Sequence, residues 1–147
     1  MKRITRIAVA SDFSAGSRRA FNTALTLARA SHASVTAFHV IPPTFPVVPE
    51  QYLDRAIWDR FDRQARRAAD RRLQRLTLRA NRAGVRATGR VLRGDPAVQI
   101  VRAARAARAD FLVIGTHGRT GLRRLFMGSV AARVVAMARC PVVIVRG

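Results

Sequence analysis

Four residues in the C-terminal third of the chain have the types and spacing of a phosphate-binding loop. Gly115 and Gly118 precede Gly128 and Ser129 in the pattern G-x2-G-x9-G-S, which is not a Walker P-loop. Glycine lets the backbone approach a phosphate closely and adopt positive φ, and consecutive free N–H groups form an anion site. A helix that begins near Gly128 adds unpaired N–H groups and a partial positive charge. A purely structural loop would need the same glycines to turn, so the pattern alone leaves both interpretations open.

The elements that must position this loop alternate between strand and helix patterns. Short apolar or β-branched runs at residues 4–11, 34–41, 85–92, 111–114 and 141–145 predict five strands. Helical patterns lie between them, beginning at Ser14 or Ser17, extending over residues 50–83 as one long or broken helix, starting again at Asp95–Pro96, and spanning residues 128–139. This alternation predicts an α/β fold: one Rossmann-like parallel sheet of five strands, with helices on both faces, in a single domain over residues 1–147.

The carboxyl ends of three predicted strands are the candidate ligand positions. In an open α/β sheet, ligands bind beyond the carboxyl ends of strands, at the point where the strand order reverses. Those ends are Ser11–Asp12, Val40–Ile41 and Gly115–Thr116. The glycine loop leaves the third of them, between an apolar strand and a helix, and this position favours a nucleotide site.

The long helical segment combines an apolar face with many arginines. Three- and four-residue steps place one set on a single face that we expect to pack on the sheet: Phe61, Ala65, Ala68, Ala69, Leu73, Leu76 and Ala80. Ten arginines between Arg55 and Arg82 occupy mostly the other positions. The i,i+4 pairs Asp59–Arg63 and Asp62–Arg66 have the favourable orientation.

The composition restricts the class of partner. A net charge of +20, from 28 basic and 8 acidic residues, predicts attraction to nucleic acid, acidic membranes or phosphorylated ligands. Nucleic acid is the disfavoured partner, because packing explains the apolar interleaving of the long helix and no aromatic stacking platform accompanies it. No apolar run reaches the length of a membrane span, and no signal segment is present, so we expect a cytoplasmic protein. The three histidines lack metal-ligand spacing, and Cys140 is expected to be a small, partly buried residue.

Several segments together resemble the universal stress protein family. The stretch GTHGRTGLRRLFMGSVAARVVAMARCPVVIVRG is similar to the C-terminal half of that family, IAVASDFSAGSRRAFNTALTLARA to its first strand and helix, FHVIPP to its second strand, and GDPAVQI to the start of its third helix. The pattern G-x2-G-x9-G-[ST] distinguishes the ATP-binding members. The resemblance therefore implies the strand order 3-2-1-4-5, ATP with Mg²⁺ as the ligand, and a homodimer formed through the strand at residues 141–145.

The resemblance also implies a role for each matching residue. Asp12, with Ala10 and Ser11, would face the adenosine, and its carboxylate would accept hydrogen bonds from the ribose hydroxyls. Val40 would contact adenine, while Ile114 and Gly115 would line the nucleoside pocket. The phosphates would be approached by His117, Gly118, Arg119, Gly128, Ser129 and Val130. One departure is the pair Ala10–Ser11, where ATP-binding relatives often carry proline and threonine.

Three functions fit these features. The favoured one is a binding module in which ATP regulates the dimer or its affinity for a protein partner. The second is a slow ATPase or autophosphorylating protein, with Asp12 and His117 as candidate base or metal-associated groups and Thr120 or Ser129 as phosphoacceptors. The third is a polyanion-binding protein whose glycine loop is only structural. The sequence shows no unambiguous catalytic constellation, so we expect no efficient enzyme.

Overall fold

The structure is a computed structural model that describes residues 3–43, 54–116 and 127–146. Five strands and four helices alternate along this part of the chain. In order they are β1 (Arg6–Ala10), α1 (Ala15–Ser31), β2 (Ser34–Ile41), α2 (Arg55–Arg82), β3 (Ala87–Arg93), α3 (Pro96–Ala106), β4 (Phe111–Gly115), α4 (Ser129–Met137) and β5 (Val142–Val145). Within the described ranges, no helix is long and apolar enough to cross a bilayer.

The strands form one sheet in the order β3-β2-β1-β4-β5, and every neighbouring pair is parallel. The predicted fold class and the strand order implied by the resemblance are therefore confirmed. β1 lies at the centre, with Ile7 opposite Val35 of β2 on one side and opposite Phe111 of β4 on the other. β3 and β5 are the two edges of the sheet.

Side chains from β1 enter two separate cores, one on each face of the sheet. Ile7 and Val9 pack with residues of α1 and α2, including Phe21, which is fully buried. Ala8 and Ala10 pack on the other face with residues of α3 and α4, such as Ile100 and Val134. This division follows from the two-residue period of a strand, which sends successive side chains to opposite faces.

Local cap signals position the helices as the sequence predicts. The Ser14 hydroxyl accepts a hydrogen bond from the Ser17 N–H at 3.2 Å and caps α1. The Asp95 carboxylate accepts from the Val98 N–H at 3.0 Å, and Pro96 occupies the first turn of α3. Each cap satisfies an N–H that has no partner within its own helix. Strand ends differ from prediction by a few residues: β1 and β3 each begin two residues later.

The predicted apolar face of α2 is only half correct. The helix is continuous, and Ala69, Leu73 and Ala80 are buried, but Phe61 is 63% exposed. The reason is length, because 28 helical residues extend about 42 Å whereas the seven residues of β3 beneath them span about 23 Å. The first turns of α2 therefore extend past the sheet, and the prediction that Phe61 packs there is wrong.

Two contacts fix α2 on the edge strand β3. Gly89 lies so close beneath the helix that an added Cβ would be 3.0 Å from the Cβ of Leu73. At the end of β3, Arg93 forms an ion pair with Asp62. Asp62 was expected to pair with Arg66 within the helix, and the structure pairs it with the strand instead.

Matched phenylalanine truncations test this description of the core. We expect Phe21→Ala to lower the free energy of unfolding by about 3–5 kcal/mol, because it leaves a cavity under α1. Phe61→Ala should change it by less than about 0.5 kcal/mol, because that ring is mostly in solvent. Urea unfolding followed by circular dichroism measures both values. A large loss in Phe61→Ala would contradict the exposed start of α2.

Candidate functional site

The carboxyl ends of β1, β2 and β4 meet at one edge of the sheet. The Ser11 N–H donates to the carbonyl of Phe38 at 2.8 Å, so the end of β1 is held against β2. The Thr116 N–H donates to the carbonyl of Val145 at 2.9 Å and extends β4 along β5. The winding of the chain reverses between β1 and β4, which is where open α/β sheets form a crevice. The three ends named from the sequence are thus brought to one place.

Four of the expected site residues lie on the same face of this edge. Ala10 and Ile114 are buried in the core that faces α3 and α4, and Val40 and Val130 pack against the same core while partly exposed. They come from three strand ends and the first turn of α4. Together they form an apolar wall of the kind that a flat aromatic base contacts.

The side chain of Ser11 lies on the opposite side of the strand. Its hydroxyl is 3.2 Å from the hydroxyl of Ser17 in α1 and accepts from the Phe13 N–H, and the residue is 5% exposed. Its carbonyl lies 2.8 Å from Nδ1 of His39. Because a carbonyl oxygen only accepts, that ring nitrogen carries the proton. The structure therefore does not bring the Ser11 side chain to the apolar wall with Ala10, as strand alternation from Ile7 and Val9 could have indicated.

A strained turn holds Asp12. The Asp12 carboxylate accepts from the Ser14 N–H at 3.0 Å, and Phe13 has φ of 65°, which is rare for a bulky residue. The Phe13 ring stacks on His39 with centroids 4.4 Å apart, and the guanidinium of Arg72 lies 5.2 Å from its centroid. Such strain persists where the surroundings fix the conformation, often beside functional groups. Sequence reasoning did not identify this stack, whose members come from the turn, β2 and α2.

Gly115 is required by helix packing. A Cβ at this position would lie 3.1 Å from both the carbonyl carbon and the oxygen of Gly16 in α1. The two glycines let the start of α1 approach the end of β4 at backbone distance. The sequence argument gave Gly115 a ligand-facing reason, and the structure supplies a reason that holds without any ligand.

The start of α4 is shaped as an anion site. Gly128 is its N-cap, with φ of −60° and a backbone N–H that donates to the Thr116 carbonyl at 2.7 Å. The cap provides no side-chain hydrogen bond, so the first-turn N–H groups next to the exposed Ser129 have no capping oxygen from it. His117, Gly118 and Arg119 were expected to complete the site and lie outside the described residues, as does Thr120.

An ion pair connects α4 to α3. Arg133 donates to the Asp95 carboxylate at 2.8 Å, while the other oxygen of Asp95 caps α3. The hydrogen bond from Arg133, followed by that from the Val98 N–H, lowers the pKa of Asp95 from its ordinary value of 3.8. Asp95 thus stays ionised and holds the first turns of both helices together. This contact was not foreseen, because the two residues are 38 positions apart.

Other reactive groups lie apart from this arrangement. Burial raises the pKa of the Cys140 thiol, which agrees with the expected partly buried residue. Among residues 3–43, 54–116 and 127–146, no group of three or more metal-ligating side chains is assembled.

Comparison with known proteins identifies the family. The model of the universal stress protein family matches residues 3–146. The chain belongs to the universal stress protein family. A universal stress protein of Methanocaldococcus jannaschii is 32% identical over 96% of this chain and 81% of its own length. One of Thermus aquaticus is 34% identical over 95% of this chain and 97% of its own.

Solved structures of universal stress proteins share the fold. The universal stress protein UspA of Lactobacillus plantarum superimposes with a TM-score of 0.82 at 27% identity, covering 99% of this chain and 100% of its own. A universal stress protein solved in complex with cAMP gives a TM-score of 0.68 at 25% identity, covering 99% and 98% of the two chains.

Glycine substitutions separate packing from ligand contact in this universal stress protein. We expect Gly115→Ala to lower the free energy of unfolding by about 1–3 kcal/mol without any ligand, because its Cβ meets backbone that cannot move away cheaply. Gly128→Ala should cost less than about 1 kcal/mol, because φ of −60° is open to alanine. Denaturant unfolding in nucleotide-free buffer measures both. Equal values would mean that the contact with Gly16 does not determine Gly115.

Proposed function

We propose that this universal stress protein binds ATP, with Mg²⁺, at the carboxyl ends of β1, β2 and β4, and acts as a nucleotide-dependent regulatory or stress-response module. The observation that carries the proposal is the start of α4, where Gly128 provides no side-chain cap and the first-turn N–H groups adjoin the end of β4. An unsatisfied helix N-terminus at a strand switch point favours a phosphate. The similar universal stress protein solved with cAMP supports an adenine nucleotide as the ligand class.

The nucleoside would lie on the apolar wall. Ala10, Val40 and Ile114 offer carbon surface for the adenine ring at one face of the sheet edge. The Asp12 carboxylate, held in its turn by the Ser14 N–H, is the group that would accept from ribose hydroxyls. Ser11 contributes through the position of its backbone, because its hydroxyl is engaged with Ser17.

The phosphates would lie at the start of α4. Gly128, Ser129 and Val130 supply N–H groups and the positive end of the helix there, and the family pattern adds His117, Gly118 and Arg119. Each of these contributions favours negative charge. An acidic side chain introduced at this helix start would therefore compete with the phosphates while still suiting the helix.

A charge placed at Ser129 tests the phosphate position. We expect Ser129→Asp to weaken ATP binding about 10- to 100-fold relative to Ser129→Asn, because a carboxylate repels the triphosphate at short range. Adenosine binding should change less than about threefold between the two variants. Neither variant should lose stability, since an acid in the first turn favours a helix. Isothermal titration calorimetry on refolded, nucleotide-stripped protein measures these affinities.

The same titrations contain the results that would overturn the proposal. Refolded wild-type protein that binds neither ATP nor adenosine would refute the nucleotide site. Equal loss of ATP and adenosine in Ser129→Asp would place the phosphates elsewhere. Sustained phosphate release that disappears in Asp12→Ala would support a slow ATPase in place of a binding module.

We also infer that the protein forms a homodimer through β5. This strand is an edge of the sheet, and its sequence Val-Val-Ile-Val is apolar throughout. An open apolar edge invites pairing with a second strand. The exposed apolar side chains of Val135 and Met137 in the preceding helix α4 add to the apolar surface available near this edge.

Sedimentation equilibrium tests the dimer. We expect the wild type to have twice the chain mass of 16.2 kDa. Val143→Lys should shift it to the monomer, because a lysine on an edge strand opposes strand pairing. A folded Val143→Lys that stays dimeric would locate the interface elsewhere, and a monomeric wild type at about 100 µM would refute the dimer, since specific interfaces of standard size bind more tightly.

A further inference from the structure

The surface formed by α2 and β3 carries a high density of arginine. All ten arginines of α2 are exposed, and so are Arg86, Arg90 and Arg93 next to or within β3. The helix lies directly over this strand, since Leu73 covers Gly89 and Asp62 pairs with Arg93. The arginines of both elements therefore belong to one continuous surface at the β3 edge of the sheet.

Five of these arginines form a straight line along the helix, which we call the arginine stripe. Its members follow one another at steps of seven, four, four and seven residues: Arg60, Arg67, Arg71, Arg75 and Arg82. At 3.6 residues per turn these steps keep them on one side of α2, opposite the buried Ala69, Leu73 and Ala80. From first to last the stripe extends about 33 Å at 1.5 Å per residue.

The arginine stripe is separate from the arginines that hold the fold together. Arg72 stacks over Phe13, and Arg79 lies over Phe21 and donates to Asn22, so both contact α1 or the turn before it. Within the described part of the chain, no stripe arginine has an ion pair or a side-chain hydrogen bond. Such exposed, uncompensated guanidinium groups raise the local potential and attract a multivalent anion.

The carboxylates of the helix do not neutralise the stripe. Asp59, Asp62 and Asp70 follow different steps and lie on the flank of the helix nearer to its buried side. Asp62 is already paired with Arg93. The stripe is thus a row of positive charge without an acidic residue in it.

We propose that the arginine stripe binds the sugar–phosphate backbone of duplex nucleic acid without reading its sequence. Its length matches about one turn of a duplex, roughly 34 Å, and guanidinium groups bind phosphate oxygens in a bidentate manner. A membrane surface fits less well, because an interfacial helix needs its apolar face for lipid. The apolar face of α2 instead covers the sheet.

This surface changes the balance drawn from the sequence. Nucleic acid was disfavoured there because packing explained the apolar residues between the arginines. In the structure the packing uses the side of α2 opposite the arginine stripe, so it competes with none of the five. The proposal is also independent of ATP, because the stripe and the start of α4 lie on opposite faces of the sheet.

Two variants of equal charge test the proposal. The stripe variant replaces Arg60, Arg67, Arg71, Arg75 and Arg82 with glutamine, and the control variant replaces five other exposed arginines, Arg19, Arg29, Arg102, Arg105 and Arg139, with glutamine. Both lower the net charge from +20 by five. Arginine and glutamine have similar helix propensities, so α2 should persist in the stripe variant. Fluorescence anisotropy with a labelled duplex of 20 base pairs, titrated at several salt concentrations, measures affinity and salt slope.

We expect the salt slope of the wild type to be near −4.5, which corresponds to about five phosphates neutralised on B-DNA. The stripe variant should lose most of that slope and at least about 100-fold in affinity at roughly 50 mM salt. The control variant should lose less than about tenfold, because charges farther from the duplex than the Debye length are screened. Equal losses in both variants would overturn the proposal and attribute binding to net charge alone.

Two further measurements keep the result decisive. If thermal unfolding shows that the stripe variant is misfolded, Arg71→Gln with Arg75→Gln replaces it, and the slope should then fall by about two. Vesicles containing phosphatidylserine are titrated in parallel. Binding to these vesicles that needs the stripe, without binding to the duplex, would overturn the proposal in favour of a membrane surface.

Discussion

Burial of β1 on both faces and pairing along both of its edges determine most of what this protein does. Ile7 and Val9 enter one core, Ala8 and Ala10 enter the other, and β2 and β4 take the two edges. Such a strand contacts solvent only at its ends. The turn that follows its carboxyl end carries Asp12, and the winding reverses beside it. The same constraint that builds two cores thus also creates the crevice.

Features governed by local rules could be predicted from the sequence. β2 spans the predicted residues, and the caps Ser14 and Asp95 act as their positions indicate. The apolar wall followed from the rule that parallel strands end at one edge. What failed depended on relative length and on pleat. Nothing near Phe61 in the sequence reveals that the sheet ends before the helix does, and the side taken by Ser11 depends on where β1 starts counting.

Contacts between distant elements could not be predicted at all. The stack of Arg72, Phe13 and His39 needs a turn, a strand and a helix to meet, and no single segment contains its signal. The approach of Gly115 to Gly16 likewise depends on the angle between β4 and α1. Glycine at such a position looks the same in sequence whether a phosphate or a backbone lies opposite it. The family pattern identified the residue correctly but not the reason for it.

The strand order places the two edges of the sheet in very different chemical settings. β5 is short and apolar, whereas β3 carries Arg90 and Arg93 beneath an arginine-rich helix. Two copies joined at β5 would form one sheet of ten strands, with like charges at both outer edges opposing any further growth. The two arginine surfaces would then be about 43 Å apart at a strand spacing near 4.8 Å. Assembly would end at two copies, and the product would be a bivalent particle with its positive charge at the two tips.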